Sequence, residues 1–293
     1  MSETVTVIIP TTCEKRREAQ LLRAIDSIQR QKGVSANILV VVNGKRFDSD
    51  LLAALKSRED LTVEYLELGS APNACAHARS IIQTRYFSFL DDDDELLDDS
   101  LRVRLDAFDA DPSLDLVVAN GYNEIGGKRE IRVKNGERVN EDIQMALIEA
   151  NWLTSCGGVF RTDSITEAFF KEPAEYNEWT LLAFRITCTR KVLFINKPTF
   201  VVHSTPGSLS KSKAFVLSDA DVIRSMIELT DRKEVRLALN RKLCGSLHYI
   251  ADYLLEQGNY FDAWKYHIKS LLYPGGFAYL SFTRKLLAPW IFK

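Results

Sequence analysis

An apolar, aromatic segment that ends in four consecutive carboxylates constrains this chain more than any other feature. Residues 86–90 are Tyr-Phe-Ser-Phe-Leu, and Asp91, Asp92, Asp93 and Asp94 follow directly. A short run rich in aromatic residues is typical of a buried strand. The acids cannot all be buried as unpaired anions, because desolvating a carboxylate is costly. The segment therefore predicts a strand that ends either in a solvated acidic turn or in a metal site.

Alternating strand-like and helix-like segments precede the acid run (Asp91–Asp94). Strands are predicted at 5–10, 36–42 and 61–68, and helices at 14–31, 51–55 and 74–84. This alternation is typical of a doubly wound α/β sheet. Right-handed crossovers place the ends of the first, second and fourth strands at one edge of the sheet. We therefore expect Thr11, Asn43 and the acid run to lie close together.

The pattern continues beyond the acid run and then becomes helical. Helices are predicted at 96–110, 140–150 and 176–187, strands at 114–120, 191–195 and 198–203, and a hairpin arm at 130–134. Asn73 and Asn140 are the predicted helix caps. From residue 214 onwards the pattern is helical, with a helical hairpin predicted at 237–256 and 260–272. The sequence thus predicts an α/β domain over residues 1–212 and a helical region over 213–293.

Composition excludes several classes of protein. The 293 residues carry a formal net charge of -2, which gives no overall field for nucleic acid. Five scattered cysteines with no Cys-x-x-Cys pair argue against a disulfide framework or a zinc site, and favour the cytoplasm. The first residues lack the pattern of a signal peptide, and no run reaches 18 apolar residues.

Three motifs, in this order and spacing, resemble family 2 glycosyltransferases with the GT-A fold over about residues 4–210. The first strand, Val-Thr-Val-Ile-Ile-Pro-Thr-Thr, resembles the opening strand of that family. Residues 89–95 resemble its Asp-x-Asp-Asp motif, and 177–179 resemble its later acidic pair. The resemblance implies a GT-A type doubly wound, mostly parallel sheet with flanking helices. It makes residues 1–212 the catalytic domain and 213–293 a C-terminal helical extension.

The resemblance also implies a nucleotide-diphospho-sugar donor, with a UDP-sugar favoured, and Mn²⁺ or Mg²⁺. A hard divalent cation takes oxygen ligands and neutralises a diphosphate leaving group. Asp93 is the expected metal ligand, although Asp92 or Asp94 offers an alternative register. Asp91 is expected near the ribose and the metal. Asp92 and Asp94 are expected to stabilise the turn or the residues that bind the metal, without binding it directly. His203 precedes a Ser-Leu-Ser segment and is expected to contact the metal or the diphosphate.

The resemblance assigns further residues to the nucleotide-sugar, which are Pro10, Thr11, Asn43, Arg79 and Asp92. Asn43 stands where the family usually has an acid that contacts uracil, and an amide can both donate and accept. Arg79 lies in an Ala-Arg-Ser segment that resembles the Ala-Arg-Asn of the family. A guanidinium suits a diphosphate, and the alternative for Arg79 is a solvated helix arginine.

Glu178 is the expected general base of an inverting transfer, which takes the proton from the acceptor hydroxyl. Glu175 is the alternative base, and a glutamate at a helix N-terminus also has a purely structural explanation. A sugar-phosphate nucleotidyltransferase would show a glycine-rich loop after the first strand, but residues 11–16 contain no glycine. Asn43 and Asn177 stand where the family usually has acids. They leave open the alternative that the chain is a catalytically degenerate, glycosyltransferase-like assembly protein.

The last thirty residues are basic and aromatic. Residues 264–293 contain five Lys or Arg residues and no acid. This composition favours peripheral contact with an anionic membrane surface, at the inner face of the membrane. Packing against the rest of the chain or against a dimer partner is the alternative. The resemblance implies a glycan or lipid-linked acceptor and a place in polysaccharide biosynthesis.

Overall fold

A computed structural model describes residues 4–171, 174, 176–204 and 213–287. The chain divides into two compact units, Met1–Pro173 with Glu178–Pro206, and Ala174–Asn177 with Gly207–Lys293. The first unit is built on a sheet with flanking helices, and the second is helical. Within the described ranges, no helix is both long enough and apolar enough to cross a membrane.

The sheet of the first unit combines parallel and antiparallel strands. Its strands are β1 (Thr4–Thr11), β2 (Ser35–Asn43), β3 (Thr62–Leu66), β4 (Tyr86–Phe89), β5 (Glu95–Leu96), β6 (Leu116–Ile125), β7 (Lys128–Ile131), β8 (Gly158–Arg161) and β9 (Val192–His203). They are ordered β3-β2-β1-β4-β8-β6-β9-β5, and β7 pairs with β6 outside this path. The first four strands are parallel, as are β6 and β9, while β8 joins the two groups antiparallel to both. The predicted α/β fold, with a mostly parallel sheet, is confirmed.

Helices cover this sheet and bury their apolar faces against it. They are α1 (Glu18–Gln29), α2 (Ser49–Lys56), α3 (Ala71–Ile81), α4 (Ser100–Ala110), α5 (Ile143–Glu149) and α6 (Glu178–Thr187). In α1, Leu21, Ile25 and Ile28 share one helical face, and all three are buried in the core with strand residues such as Val7 and Val40. The predicted amphipathic helix after the first strand is therefore confirmed.

Several boundaries differ from the sequence prediction for local reasons. The strands predicted at 191–195 and 198–203 form one strand, β9, whose pairing with β6 shifts register at Ala119 and Asn120. Strand β6 runs on to Ile125 and turns into β7 through Gly126 and Gly127, which both have positive φ as a tight hairpin requires.

Two predicted helix caps were wrong, and in each case a residue three or two positions away takes the role. Ser70 caps α3 by accepting from the backbone N–H of Asn73, so Asn73 lies inside the helix. Asp142 caps α5 in the same way, and Asn140 instead binds the backbone of Phe194 in β9. Both asparagines are good caps by residue type, but a competing cap nearby was equally good.

The second unit contains four helices within the described residues, namely α7 (Lys213–Leu229), α8 (Lys233–Glu256), α9 (Tyr260–Leu271) and α10 (Phe282–Leu287). The predicted helical hairpin is confirmed as α8 and α9, and α9 begins at the cap Asn259. Residues such as Leu243, Leu247 and Ala263 are buried. The polar loop predicted at 204–212 lies outside the described residues beyond Ser204.

Candidate active site at the strand ends

Hydrogen bonds connect residues from three strand ends, as the topology predicts. The Thr11 hydroxyl at the end of β1 donates to Asp92 Oδ2 at 2.5 Å. The Asn43 side-chain amide at the end of β2 donates to the carbonyl of Thr11 at 3.0 Å. Pro10 immediately precedes this contact and pairs with Val41 in the sheet. The structure therefore brings the predicted residues of β1, β2 and the acid run to one edge of the sheet.

Arg17 connects the start of α1 to the acid run through an ion pair with Asp92. Its Nε lies 3.1 Å from both carboxylate oxygens of Asp92, and its Nη2 contacts the same carboxylate. The hydrogen bond to Asp92 is the main cause that raises the pKa of Arg17 above its usual value. Because Asp92 is buried and its oxygens already bind Arg17 and Thr11, its described contacts are structural. Its predicted contact with the nucleotide-sugar stays a prediction.

Asp93 has a more open position than Asp92. Its carboxylate keeps 17% of its surface exposed and lies 3.3 Å from Arg17 Nη2, while Arg23 donates to its backbone carbonyl. Arg17, at the N-cap of α1, and Arg23, within α1, thus set the position of Asp93. A carboxylate that is oriented by its neighbours and partly exposed is suited to bind a further cation.

Asp91 and Asp94 are two acids of the run whose pKa values are raised. Burial raises the pKa of Asp91 to about 7, the charges of Asp93 and Asp92 add to this, and Ser155 partly offsets it. Burial also raises the pKa of Asp94 well above its usual value, with further contributions from Asp91 and Asp93. Asp94 accepts hydrogen bonds from the backbone of His203 at 3.0 Å and from Cys156 Sγ at 3.7 Å. A bound cation would relieve the repulsion among these carboxylates.

Glu178 is the first residue of α6 and lies close enough to the acid run for its charge to act on Asp91. The neighbouring Trp179 places its ring edge-on to Phe89, the last residue of β4, with 5.1 Å between the ring centroids. This contact explains how the start of α6, which follows the end of β4 by almost ninety residues in the chain, lies next to it in space. Burial raises the pKa of Glu178 above its usual value. The alternative base, Glu175, lies outside the described residues.

His203 lies at the end of β9 between two glutamates. Its Nδ1 is 3.2 Å from Glu124 Oε1, and its Nε2 is 3.7 Å from Glu95 Oε1. Arg129 on β7 binds the same two carboxylates, at 2.9 Å and 3.3 Å. The ring is therefore held by a charged network next to Asp94. Its role as a ligand of metal or diphosphate stays a prediction, and it would require the ring to exchange one of these partners.

Arg79 on α3 is buried rather than solvated. Its Nε and Nη2 donate to the carbonyls of Ile165 and Thr162 at 2.7 Å and 2.5 Å, and its guanidinium lies over the ring of Phe87. These contacts anchor α3 to the segment after β8. They give Arg79 a packing role, and its assignment to the nucleotide-sugar stays a prediction.

Comparison with known proteins decides the family. The model of glycosyl transferase family 2 matches residues 6–164, which is more than half of the chain. The chain belongs to glycosyl transferase family 2. It is therefore a glycosyltransferase, and the matched range includes both the opening strand and the acid run.

Solved structures support the fold of this family 2 glycosyltransferase. Residues 1–349 of S. aureus TarS in complex with UDP-GlcNAc align with a TM-score of 0.59 and 18% identity, over 85% of this chain and 72% of that one. The same segment in complex with UDP gives 0.57 and 17%, over 89% and 75%. The longer S. aureus TarS chain gives 0.57 and 17%, over 85% of this chain and 43% of that one. No curated protein matches in a sequence search.

The donor atoms at the site fit a hard divalent cation. Asp91 and Asp93 offer carboxylate oxygens, which Mn²⁺ and Mg²⁺ prefer to nitrogen or sulfur. Among the described residues, however, no group of three or more His, Cys, Asp or Glu side chains is arranged to hold a metal ion.

Sequence reasoning missed the cations and the hydrogen-bond donors around the acid run. Arg17 and Arg23 contact Asp92 and Asp93, and Cys156 and Ser155 surround Asp94 and Asp91. The position of Arg17, soon after the end of β1, was the available signal, because a strand that ends beside four acids needs counter-charges. No local pattern marks Ser155 or Cys156, which arrive from a loop before β8.

Proposed function

We propose that this glycosyltransferase moves a sugar from a nucleotide-diphospho-sugar to a hydroxyl group of a glycan or lipid-linked acceptor, with inversion at the anomeric carbon. A UDP-sugar is the favoured donor. Family membership supports the transfer reaction, and the similarly folded TarS structures with UDP-GlcNAc and UDP support the choice of donor. Asn43, rather than an acid, would face the base, where its amide can pair with a pyrimidine edge.

One observation carries this proposal, which is that the start of α6 lies close to the acid run, with Trp179 packed on Phe89 at the end of β4. Asp91 and Asp93 are carboxylates at the end of β4, and Glu178 lies at the start of α6, near enough to influence the pKa of Asp91. Diphosphate binding and proton removal are the two tasks that sugar transfer to a hydroxyl requires. Asp91 and Asp93 would bind the diphosphate through a cation, and Glu178 would remove the proton.

Asp93 and Asp91 are the residues that would hold Mn²⁺ or Mg²⁺ together with the donor diphosphate. When bound, the cation neutralises charge on the departing diphosphate. Arg17 and Arg23 hold Asp93 in place through its carboxylate and its carbonyl. Asp92 orients this turn through Thr11 and Arg17, so the turn is positioned before the donor arrives.

Glu178 is the proposed general base. Its burial raises its pKa, and a base works best when its pKa approaches the working pH. Its carboxylate would accept the proton of the acceptor hydroxyl as the oxygen attacks the anomeric carbon. The left-handed backbone of Asn177, with φ of 57°, directly precedes it and marks the turn into α6.

The Glu178→Gln variant tests this assignment. Binding of UDP, GDP, dTDP and CDP sugars, measured as a rise in melting temperature, first selects the donor. We expect the variant to bind that donor like the wild type, while transfer or hydrolysis, measured as nucleoside diphosphate release, falls by about a hundredfold or more. Glu67→Gln, at an exposed glutamate paired with Lys45, is the matched control.

Normal turnover by Glu178→Gln would reject Glu178 as the base. A wild-type protein that binds the donor without transferring or hydrolysing it would favour the degenerate assembly protein instead. Pyrophosphate release from a nucleoside triphosphate and a sugar phosphate would identify the nucleotidyltransferase alternative.

A further inference from the structure

Several large apolar side chains of the C-terminal helical unit are exposed. Phe261, Leu272 and Phe277 keep 82%, 79% and 83% of their surface exposed. Ile268 and Leu280 are also more than one-third exposed. We call these five residues, together with the basic residues described below, the apolar–basic face. Scattered exposed apolar residues are ordinary, but exposed apolar residues aligned along one side of a helix mark a surface that binds a partner or a membrane.

Helical geometry explains why these side chains form a stripe. Phe261, Ile268 and Leu272 on and just after α9 are spaced i, i+7 and i+11, which places them on one side of a helix. The opposite side of α9 carries Ala263 and His267, which are fully buried. One side of α9 is therefore used for packing within the unit, and the other side is apolar without being needed for that packing.

Basic side chains accompany this stripe. Lys265 and Lys269 are exposed on α9, and Arg284 is exposed on α10. The last acid in the chain is Asp262, so residues 263–293 contain no carboxylate side chain. Lys285 is excluded from the face, because it binds Asp252 on α8 at 2.6 Å.

This charge pattern separates two occupants of an apolar surface. In a two-fold dimer the same surface meets itself, so the basic side chains of both copies would be brought into one interface. No carboxylate follows Asp262 to neutralise them. An anionic bilayer complements the charges instead, and its acyl chains accept the phenylalanine and leucine side chains.

We propose that the apolar–basic face docks this protein on the surface of an anionic lipid bilayer. Phe261, Leu272 and Phe277 enter the boundary between head groups and acyl chains, and Lys265, Lys269 and Arg284 bind the phosphates of the head groups. The helix lies along the surface, in agreement with the absence of a membrane-spanning helix in the described ranges. Binding of this face to a bilayer does not require the transfer reaction.

Sedimentation of the full chain with lipid vesicles tests the proposal. We expect binding to vesicles of phosphatidylcholine with about one-third phosphatidylglycerol, weak binding to pure phosphatidylcholine, and weakening with added salt. Replacement of Lys265, Lys269 and Arg284 by Gln should weaken binding about fivefold per charge. Phe261→Ser with Phe277→Ser should weaken it at least about tenfold. Circular dichroism and melting temperature verify that each variant is folded.

Ile125→Ser is the matched control, because Ile125 is an exposed large apolar residue in the hairpin of the other unit. It should bind vesicles like the wild type. Lack of binding to anionic vesicles, or equal binding to neutral and anionic vesicles, would overturn the proposal. Light scattering provides the second measurement, since a wild-type dimer that Phe277→Ser converts to a monomer would show that a second copy covers this face instead.

Discussion

The two units both bury titratable side chains, but they surround them in opposite ways. In the first unit Asp91 lies near both Asp94 and Glu178, and burial raises the pKa of each of the three acids. In the helical unit His248 and His267 lie 6.5 Å apart between ring centroids, and burial lowers the pKa of both. In both places the neutral form of the side chain is favoured.

The surroundings of the two groups also differ. Asp91 and Asp94 belong to the acid run, where Arg17 pairs with the neighbouring Asp92 and Asp93, and a bound cation would relieve the repulsion among these carboxylates. The histidines are packed among aromatic rings, with Tyr279 stacked on His248 at 3.9 Å and Phe282 at 4.7 Å. His267 Nε2 hydrogen-bonds the hydroxyl of Thr283 at 2.9 Å. The histidines are thus part of the packing between helices, whereas the acids stay close to like charges.

The Arg17→Met variant tests whether the acid run depends on its counter-charge, and it should have the largest effect on stability. Arg17 is the main counter-charge of buried Asp92, and removing one partner of such a pair costs about 2–3 kcal/mol when one partner is partly exposed. Urea unfolding at about pH 8 measures this loss. Adding Asp92→Asn should recover part of the loss, because the unpaired charge is then gone.

The matched control is Arg16→Met, since Arg16 pairs with Glu14 but is mostly exposed. An exposed pair contributes less than about 1 kcal/mol. If Arg17→Met and Arg16→Met destabilise the protein equally, the acid run does not depend on its arginine as described.

Thr11→Val should have a smaller effect on the same structure. The variant removes the donor to Asp92 and the acceptor of the backbone N–H of Cys13. Hydrogen bonds of this kind, one of them to a charged group, contribute about 1–2 kcal/mol. Urea unfolding checks the value, with Thr62→Val at an exposed strand position as control. Stability equal to that of the control would mean that Thr11 does not support the turn.

The pH dependence of the two units should have opposite signs. Asp91 has a pKa of about 7 in the folded protein, above its usual 3.8, so the unfolded chain loses this proton first. Its contribution to stability therefore falls as pH rises between these two values. The histidines have lowered pKa values, so the unfolded chain binds their protons first. Their contribution falls as pH drops through the usual value of 6.5.

Hydrogen exchange of each unit across pH 5 to 8 measures this difference, which is expected to be the smallest of the effects. Replacing both His248 and His267 by Gln should flatten the response of the helical unit. His77→Gln, at a partly exposed histidine of the first unit, should leave it unchanged. A helical unit that becomes more protected as the pH falls would contradict the assignment.

The positions of the residues at the strand ends could be predicted from the sequence, whereas the side chains that contact them could not. Thr11, Asn43 and the acid run follow buried strands, so topology alone brings them to one edge. The single long strand β9 was not predictable, because Asn196-Lys197-Pro198 resembles a turn, whereas pairing with β6 absorbs it through a register shift. Arg17 and Asp92 are 75 residues apart, and no local pattern specifies which cation meets which acid.

The central claim is that the acid run binds a divalent cation together with a nucleoside diphosphate. Calorimetry of UDP binding with Mn²⁺, with EDTA, and with the Asp93→Ala variant tests it directly. Asp98→Ala, at an exposed acid close by in the chain, is the control. We predict that UDP binds to the wild type and to the control only when Mn²⁺ is present, and that Asp93→Ala abolishes binding. Equal affinity for UDP in Mn²⁺ and in EDTA would contradict the claim.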